Sequence, residues 1–391
     1  MVYAYAYAYN LSYVVIYRII HYNKYRQALN SIIIGLEDTM AERKPAKSNT
    51  QKLREITDSL PDFTQQYFYS GTSGKAILTR ISYSLDIRYF LEYAVNFMPY
   101  FPDKQVKELT LDDIKQIKAT DIDNFLTWMD EDQELSERTR ARRRSSISGL
   151  IEYLINTERK LEYNPVSGSQ SVEIPEKEYV TYLSLDEQEK LLNCIRYGTG
   201  LTKGQLAVHE KYKKRDLAII FLFLDTGLRI SELQALNVND VVIYEDPFDE
   251  NKNECYVTAL RKGKKKSGTV SKVFFSDESK EYIQDYLESR QICGEQFTEN
   301  SPLFTTTSGE RLSIREIQQM LKKYVKVSLK RSDISVHKLR SSFAMEFYKH
   351  EKIILVLQQR MGHKSINATN IYARASDREE AVKNSRNWRN K

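Results

Sequence analysis

"DTGLRISELQAL", residues 225–236, ends one helix and starts another. Thr226 and Gly227 break an apolar helix that begins near Leu217, and a new helix starts at about Arg229 or Ile230. An arginine in the first turn opposes the helix dipole. A guanidinium pointing into solvent would account for it. Equally, unpaired backbone N–H groups and a fixed positive charge at one point make an anion site. Glu232, three residues on, is within reach to hold the guanidinium in place. Beyond this turn come three short runs with strand character, "VVIY" (241–244), "CYVTAL" (255–260) and "SKVFF" (271–275). Helices dominate around them, so the expected domain is mainly α with a small antiparallel β-sheet.

Upstream, a capping box at Ser184 and Glu187 opens this domain over residues 184–391. The stretch 164–183, "NPVSGSQSVEIPEKEYVTYL", has the prolines, glycine and serines of a linker. Residues 51–163 read as a helical domain. In "ILTRISYSLDIRYFLEYAVNFM" (77–98), Ile81, Leu85, Tyr89 and Tyr93 recur at steps of four. Asp121 is placed to cap the helix after it. "RTRARRR" (138–144) puts Arg138, Arg140, Arg142, Arg143 and Arg144 at one end of a helix whose other end carries Ile147, Leu150, Ile151 and Leu154. The expected picture is an anchored apolar half with a basic half projecting from it. Residues 1–50 open on alternating Tyr and Ala, lack a signal-peptide pattern, and read as a poorly ordered leader.

The 391 residues carry a net charge of +6, modest for the length, but the charge is clustered. "KYKKR" (211–215) and "RKGKKK" (261–266) join the arginine run, and three separated basic knots favour a polyanion, most simply nucleic acid. No apolar run approaches the ~20 residues of a membrane span. Cys194, Cys255 and Cys293 lie far apart, without zinc spacing or a disulfide pattern, which points to a reducing cytoplasm.

Four further segments bear chemistry. "HKLR" (337–340) sets His337 and Arg340 on one helix face. "MGHKS" (361–365) has Gly362 stopping a helix and His363 in the turn after it; a helix cap beside a dipole-complementing histidine would look the same. "NIYARAS" (370–376) holds Tyr372, one of 27 tyrosines, on a short helix that Ile366 and Ile371 can anchor. "ALRKGKKKSG" (259–268) lies between two strands as a basic hairpin turn, with Lys262 at its start and Lys264 and Lys265 beyond.

Together these segments resemble the active site of tyrosine recombinases, the phage-type integrases, and within them the Xer recombinases. The resemblance rests on "TGLRISEL", the hairpin lysine, "HKLR", the "GH" pair with His363 23 residues after Arg340, and Tyr372 nine residues after His363. Two positions depart from the family pattern. Ser341 follows Arg340 where many members have histidine, and Arg261 stands where the hairpin often has glycine, so Lys264 remains the alternative to Lys262.

The resemblance implies a helical, SAM-like core-binding domain followed by a tyrosine-recombinase catalytic domain. It implies a site-specific recombinase that cuts and rejoins double-stranded DNA through a 3′-phosphotyrosine and a Holliday junction. Mobile-element integration and excision, or chromosome dimer resolution, are the roles it offers. Arg229 and Arg340 would hold the phosphate, Lys262 would protonate the leaving oxygen, His337 and His363 would assist, and Tyr372 would attack; Glu232 supports Arg229. Arg138, Arg140, Arg142, Arg143, Arg144, Lys264 and Lys265 are the expected DNA contacts. No cofactor and no metal are implied. The implied partners are paired inverted-repeat DNA sites, a homotetramer whose C-terminal tails dock on neighbouring protomers, with Trp388 as a possible anchor, and an accessory directionality factor. A DNA-binding protein without catalysis, or a type IB topoisomerase, would share the fold.

Overall fold

Helix starts in this chain are written in serine and threonine. Ser48, Thr110, Ser184, Thr202, Ser276 and Ser313 each accept a backbone N–H from the third residue of the helix that follows, which satisfies one of the donors a helix N-terminus leaves over. The computed structural model describes residues 48–101, 103–176, 179–245, 253–260 and 270–387. The chain divides into two compact units after Pro175.

The first unit is helical among its described residues. It contains α1 (Asn49–Asp58), α2 (Asp62–Gln66), α3 (Ile77–Phe97), α4 (Leu111–Gln116), α5 (Ala119–Glu131) and α6 (Glu137–Asn156). Residues 48–50, expected to close the leader, instead begin α1; residues 1–47 lie outside the described residues. Its core is built from the inner faces of α3, α5 and α6, including Ile87, Phe90, Phe125, Leu150 and Leu154. The α3 stripe differs from the expected one. Leu85 is 41 % exposed; Tyr93 is buried as expected, and the other buried positions are Ser84, Asp86, Ile87, Phe90, Leu91 and Ala94. Steps of four residues overshoot a helical turn by about 40° each, so they leave one face within a few turns. Asp121 is likewise not the cap of α5: it is the third residue of that helix and accepts from Lys118 N at 2.8 Å.

The arginine run of α6 is also a correction. Ile147, Leu150, Ile151 and Leu154 are buried as expected, but the basic half does not project. Arg142 donates to Ser82 Oγ at 2.8 Å and to the Asp86 carboxylate. Arg143 Nε lies 3.7 Å from the same carboxylate, with its guanidinium 3.5 Å from the centre of the Tyr89 ring. Arg140 pairs with Asp130 at 2.7 Å, and Arg144 donates to the carbonyls of Val166 at 2.5 Å and Ser169 at 3.1 Å. Asp86 is 3 % exposed, and a carboxylate at that depth requires cationic or hydrogen-bonding partners. Arg138 alone of the five stays exposed with no hydrogen bond or ion pair among the described residues. The expected linker is split in the same way: Val166 is buried in the first core, whereas Leu183 is buried in the second and donates its N–H to Ser342 Oγ at 2.8 Å.

In the second unit α7 (Leu185–Tyr197) and α8 (Lys203–Thr226) lead to α9 (Ile230–Ala235). The antiparallel sheet follows in the order β1 (Val241–Tyr244), β2 (Glu254–Leu260), β3 (Val270–Phe274). Val241 faces Val257, which faces Val273, so one sheet face enters the core. Next come α10 (Asp277–Ile292), α11 (Ile314–Ser328), α12 (Val336–Glu351), α13 (Ile354–Met361) and α14 (Asn367–Asn387). The middle of this unit is α8, whose run Leu217–Phe223 is buried save Phe221 and which packs against α7, α10 and α12. Its early start at Lys203 reflects a Thr202 capping box well upstream of the apolar run. Residues 261–269, with Lys262, Lys264, Lys265 and Arg261, and Trp388 lie outside the described residues. Among the described residues no helix is long and apolar enough to cross a membrane.

Candidate active site

The turn at Gly227 is set by two constraints. Gly227 has φ +61°, a conformation that costs a side-chain-bearing residue about 1 kcal/mol. A Cβ there would also lie 2.4 Å from Phe343 Cδ1. Gly227→Ala is therefore expected to destabilise the second unit by about 2–4 kcal/mol, since the Phe343 ring is itself buried and has no room to swing. Urea unfolding checks this, and the midpoint should fall.

Arg229 follows as the residue just before α9, in extended backbone conformation. Glu232 holds it at both ends. Its Oε2 accepts the Arg229 backbone N–H at 3.0 Å and its Oε1 accepts Nη1 at 2.7 Å. The Glu232 side chain is 2 % exposed and that of Arg229 27 %, so a buried carboxylate fixes a partly exposed guanidinium. Nη2 reaches Gly362 O at 3.3 Å.

Arg340, on α12, is 1 % exposed. Its Nη1 donates to Gly227 O and its Nη2 to Met361 O. One guanidinium thus ties the turn after α8 to the end of α13, and Arg229 adds a third tie to the neighbouring carbonyl. Gly362, at φ +58°, then stops α13, as expected. His363 follows, with its N–H bonded back to Gln358 O at 3.1 Å and its Nδ1 2.9 Å from Thr369 Oγ1. His337 is exposed at the second position of α12, one turn before Arg340.

Tyr372 is 3 % exposed, packed in a small core with Phe343, Met345, Leu357 and Met361. Burial pushes its hydroxyl above the usual phenol range, against a hydrogen bond from Ser341 and the nearby Arg340 charge, which both pull it down. Two residues that the sequence reading passed over therefore belong here. Thr369 is fully buried and bonds His363; Ser341, noted only as a departure, is 4 % exposed, donates to His337 O at 3.3 Å and lies close enough to the Tyr372 hydroxyl to lower its pKa. The spacing of Thr369 three residues before Tyr372 was the available signal for the first.

The expected short helix around Tyr372 is 21 residues long. It lies against α12 of its own chain, and the described part of the tail bonds within that chain: Glu379 to Lys349 at 3.0 Å and to Tyr182 at 2.9 Å, and Glu380 to Lys352. Ile366 is 38 % exposed and anchors little; Ile371 packs on the Tyr372 core.

Residues 182–379 match the phage integrase family. The tyrosine recombinase XerC of Caldanaerobacter subterraneus subsp. tengcongensis is 27 % identical over 279 residues, covering 71 % of this chain and 70 % of that protein. The tyrosine recombinase XerS of Streptococcus agalactiae is 24 % identical over 355 residues, covering 82 % of this chain and 94 % of that one. The fold is similar to that of the XerH site-specific recombinase in its post-cleavage complex with palindromic difH substrate, with a TM-score of 0.58 at 19 % identity over 84 % of this chain and 81 % of that one.

Proposed function

We propose, for a chain that belongs to the phage integrase family, that Tyr372 is the nucleophile of its strand exchange. The enzyme is a site-specific tyrosine recombinase, and DNA is its partner. The observation that supports the residue assignment best is the buried Arg340, whose guanidinium joins the turn before Arg229 to the end of the helix before His363 and whose charge lies close enough to lower the Tyr372 pKa.

In this reading Tyr372 Oη attacks the scissile phosphorus. A tyrosyl O–P bond forms, the bond to the 5′ oxygen breaks, and the 3′-phosphotyrosine conserves the bond energy without ATP. The Tyr372 proton passes to His337, and a lysine of the segment 261–269, Lys262 or Lys264, protonates the leaving 5′ oxygen. Arg229 and Arg340 neutralise the charge that develops on the non-bridging oxygens, for which a planar, always charged fork is suited. The 5′-hydroxyl of a partner strand reverses the step.

A core-binding domain and this catalytic unit would each contact the duplex. Arg138, exposed, is the candidate phosphate contact of α6; Arg140, Arg142, Arg143 and Arg144 serve that domain's own structure first, and Lys264 and Lys265 are further candidates by sequence. Paired inverted-repeat sites, a homotetramer, a Holliday junction, an accessory directionality factor and a cytoplasmic setting complete the proposal. Mobile-element movement and chromosome dimer resolution both use this chemistry.

A nicked suicide substrate bearing the chain's own recombination site tests the reading. A protein–DNA adduct stable to denaturation should accumulate in EDTA, because the attacking strand is lost after cleavage. Absence of any adduct would overturn the assignment of the centre. Joining to a second duplex separates recombination from strand relaxation alone.

A further inference from the structure

His363 sits in a turn, after a left-handed glycine, so its ring orientation depends on what the side chain touches. The contact on Nδ1 is Thr369 Oγ1, 2.9 Å away. Thr369 is fully buried, lies in the first turn of α14, and precedes Tyr372 by three residues, which puts both on one helix face. A helical threonine ordinarily turns its hydroxyl back to the carbonyl one turn earlier. Here, among the described residues, the hydroxyl has the imidazole as its one hydrogen-bond partner.

That arrangement selects a tautomer. In a neutral imidazole one ring nitrogen carries the proton and the other accepts. If Nδ1–H donated to Thr369, the threonine's own hydrogen would be buried without an acceptor, at a cost buried hydroxyls rarely bear. If Thr369 donates to Nδ1, both groups are satisfied and the ring proton resides on Nε2. We propose that Thr369 is a positioning residue whose hydroxyl holds His363 as the Nε2–H tautomer, so that His363 meets the scissile phosphate as a hydrogen-bond donor. The identity of that anion rests on the recombinase reading; the Thr369–His363 tautomer does not. Because Thr369 rides on the helix of Tyr372, the orientation of His363 and the placement of the nucleophile are mechanically joined.

Two measurements test this. Histidine-labelled protein gives long-range nitrogen–proton correlations, which report the tautomer directly; His363→Gln identifies the His363 signals among the five histidines. Wild type should show an unprotonated Nδ1 and a protonated Nε2, and Thr369→Val should shift toward a tautomer mixture. A wild-type ring protonated on Nδ1 at neutral pH overturns the proposal, and this arm needs no variant of Thr369 to fold. In single-turnover cleavage of the nicked substrate, Thr369→Val should slow adduct formation by about 10- to 100-fold with DNA affinity unchanged, while Thr369→Ser should restore it. In a His363→Gln background, Thr369→Val should add no further loss, since the hydroxyl then has no imidazole to orient. Full-speed cleavage by Thr369→Val, or equal losses in both backgrounds, would sink the idea. If wild type itself forms no adduct, the recombinase assignment fails, and the tautomer measurement still decides the role of Thr369.

Discussion

Tyr372→Phe is expected to form no covalent DNA adduct while binding the duplex as wild type does. With Tyr372 as the proposed nucleophile, removing its hydroxyl leaves no alternative route through the same centre, so the expected loss exceeds about 10⁴-fold. The fold should tolerate the change. Tyr372 packs among Phe343, Met345, Leu357 and Met361, and phenylalanine fills the same volume. What disappears is the hydroxyl beside Ser341, whose own hydroxyl donates to His337 O and so keeps its partner. Denaturing gels report the adduct, mobility shifts report binding, and thermal melting reports the fold. An adduct that survives this substitution would move the nucleophile to another residue.

Arg340→Met has the second largest expected effect, and it strikes stability and chemistry together. The side chain is 1 % exposed and caps two carbonyls, Gly227 O and Met361 O. Methionine preserves much of the apolar volume but leaves both oxygens buried without a donor, a penalty of about 1–3 kcal/mol each. We expect a stability loss of about 2–5 kcal/mol and a fall in cleavage of at least about 10³-fold, from the missing positive charge at the phosphate. Denaturant titration and single-turnover cleavage measure the two. A variant that unfolds like wild type would show that the carbonyl ties carry no weight.

Much of this is legible in the sequence. The strands at 241–244, 254–260 and 270–274 follow from short β-branched runs bounded by polar turns. Gly227 and Gly362 end their helices in the left-handed conformation that glycine favours most. The proposed catalytic positions were legible only as an ordered set, because each alone is a common surface or capping residue. Three things were hidden. The arginine run of α6 looks like a solvated face until Asp86, 56 residues from Arg142, is found beneath it. The length of α14 was hidden because nothing apolar recurs along its second half; the helix persists there because "DREEAVKNSRN" contains no breaker. The bond of His363 to Thr369 requires the turn geometry, since six residues across a glycine stop have no fixed separation.

The two halves of α14 answer to different conditions. From Thr369 to Ser376 the helix is fixed by burial, with Tyr372 and Ala375 in an apolar core. From Asp377 onward its described side chains are exposed or partly so, and what holds them is Glu379, Glu380 and Arg378 reaching to Lys349, Lys352 and the Tyr179 hydroxyl. Exposed ion pairs are worth about 0–1 kcal/mol each and weaken as salt screens them, whereas apolar burial is insensitive to screening. Ionic strength therefore acts as a selective lever on this helix: raising it loosens the distal turns and leaves the tyrosine where it is.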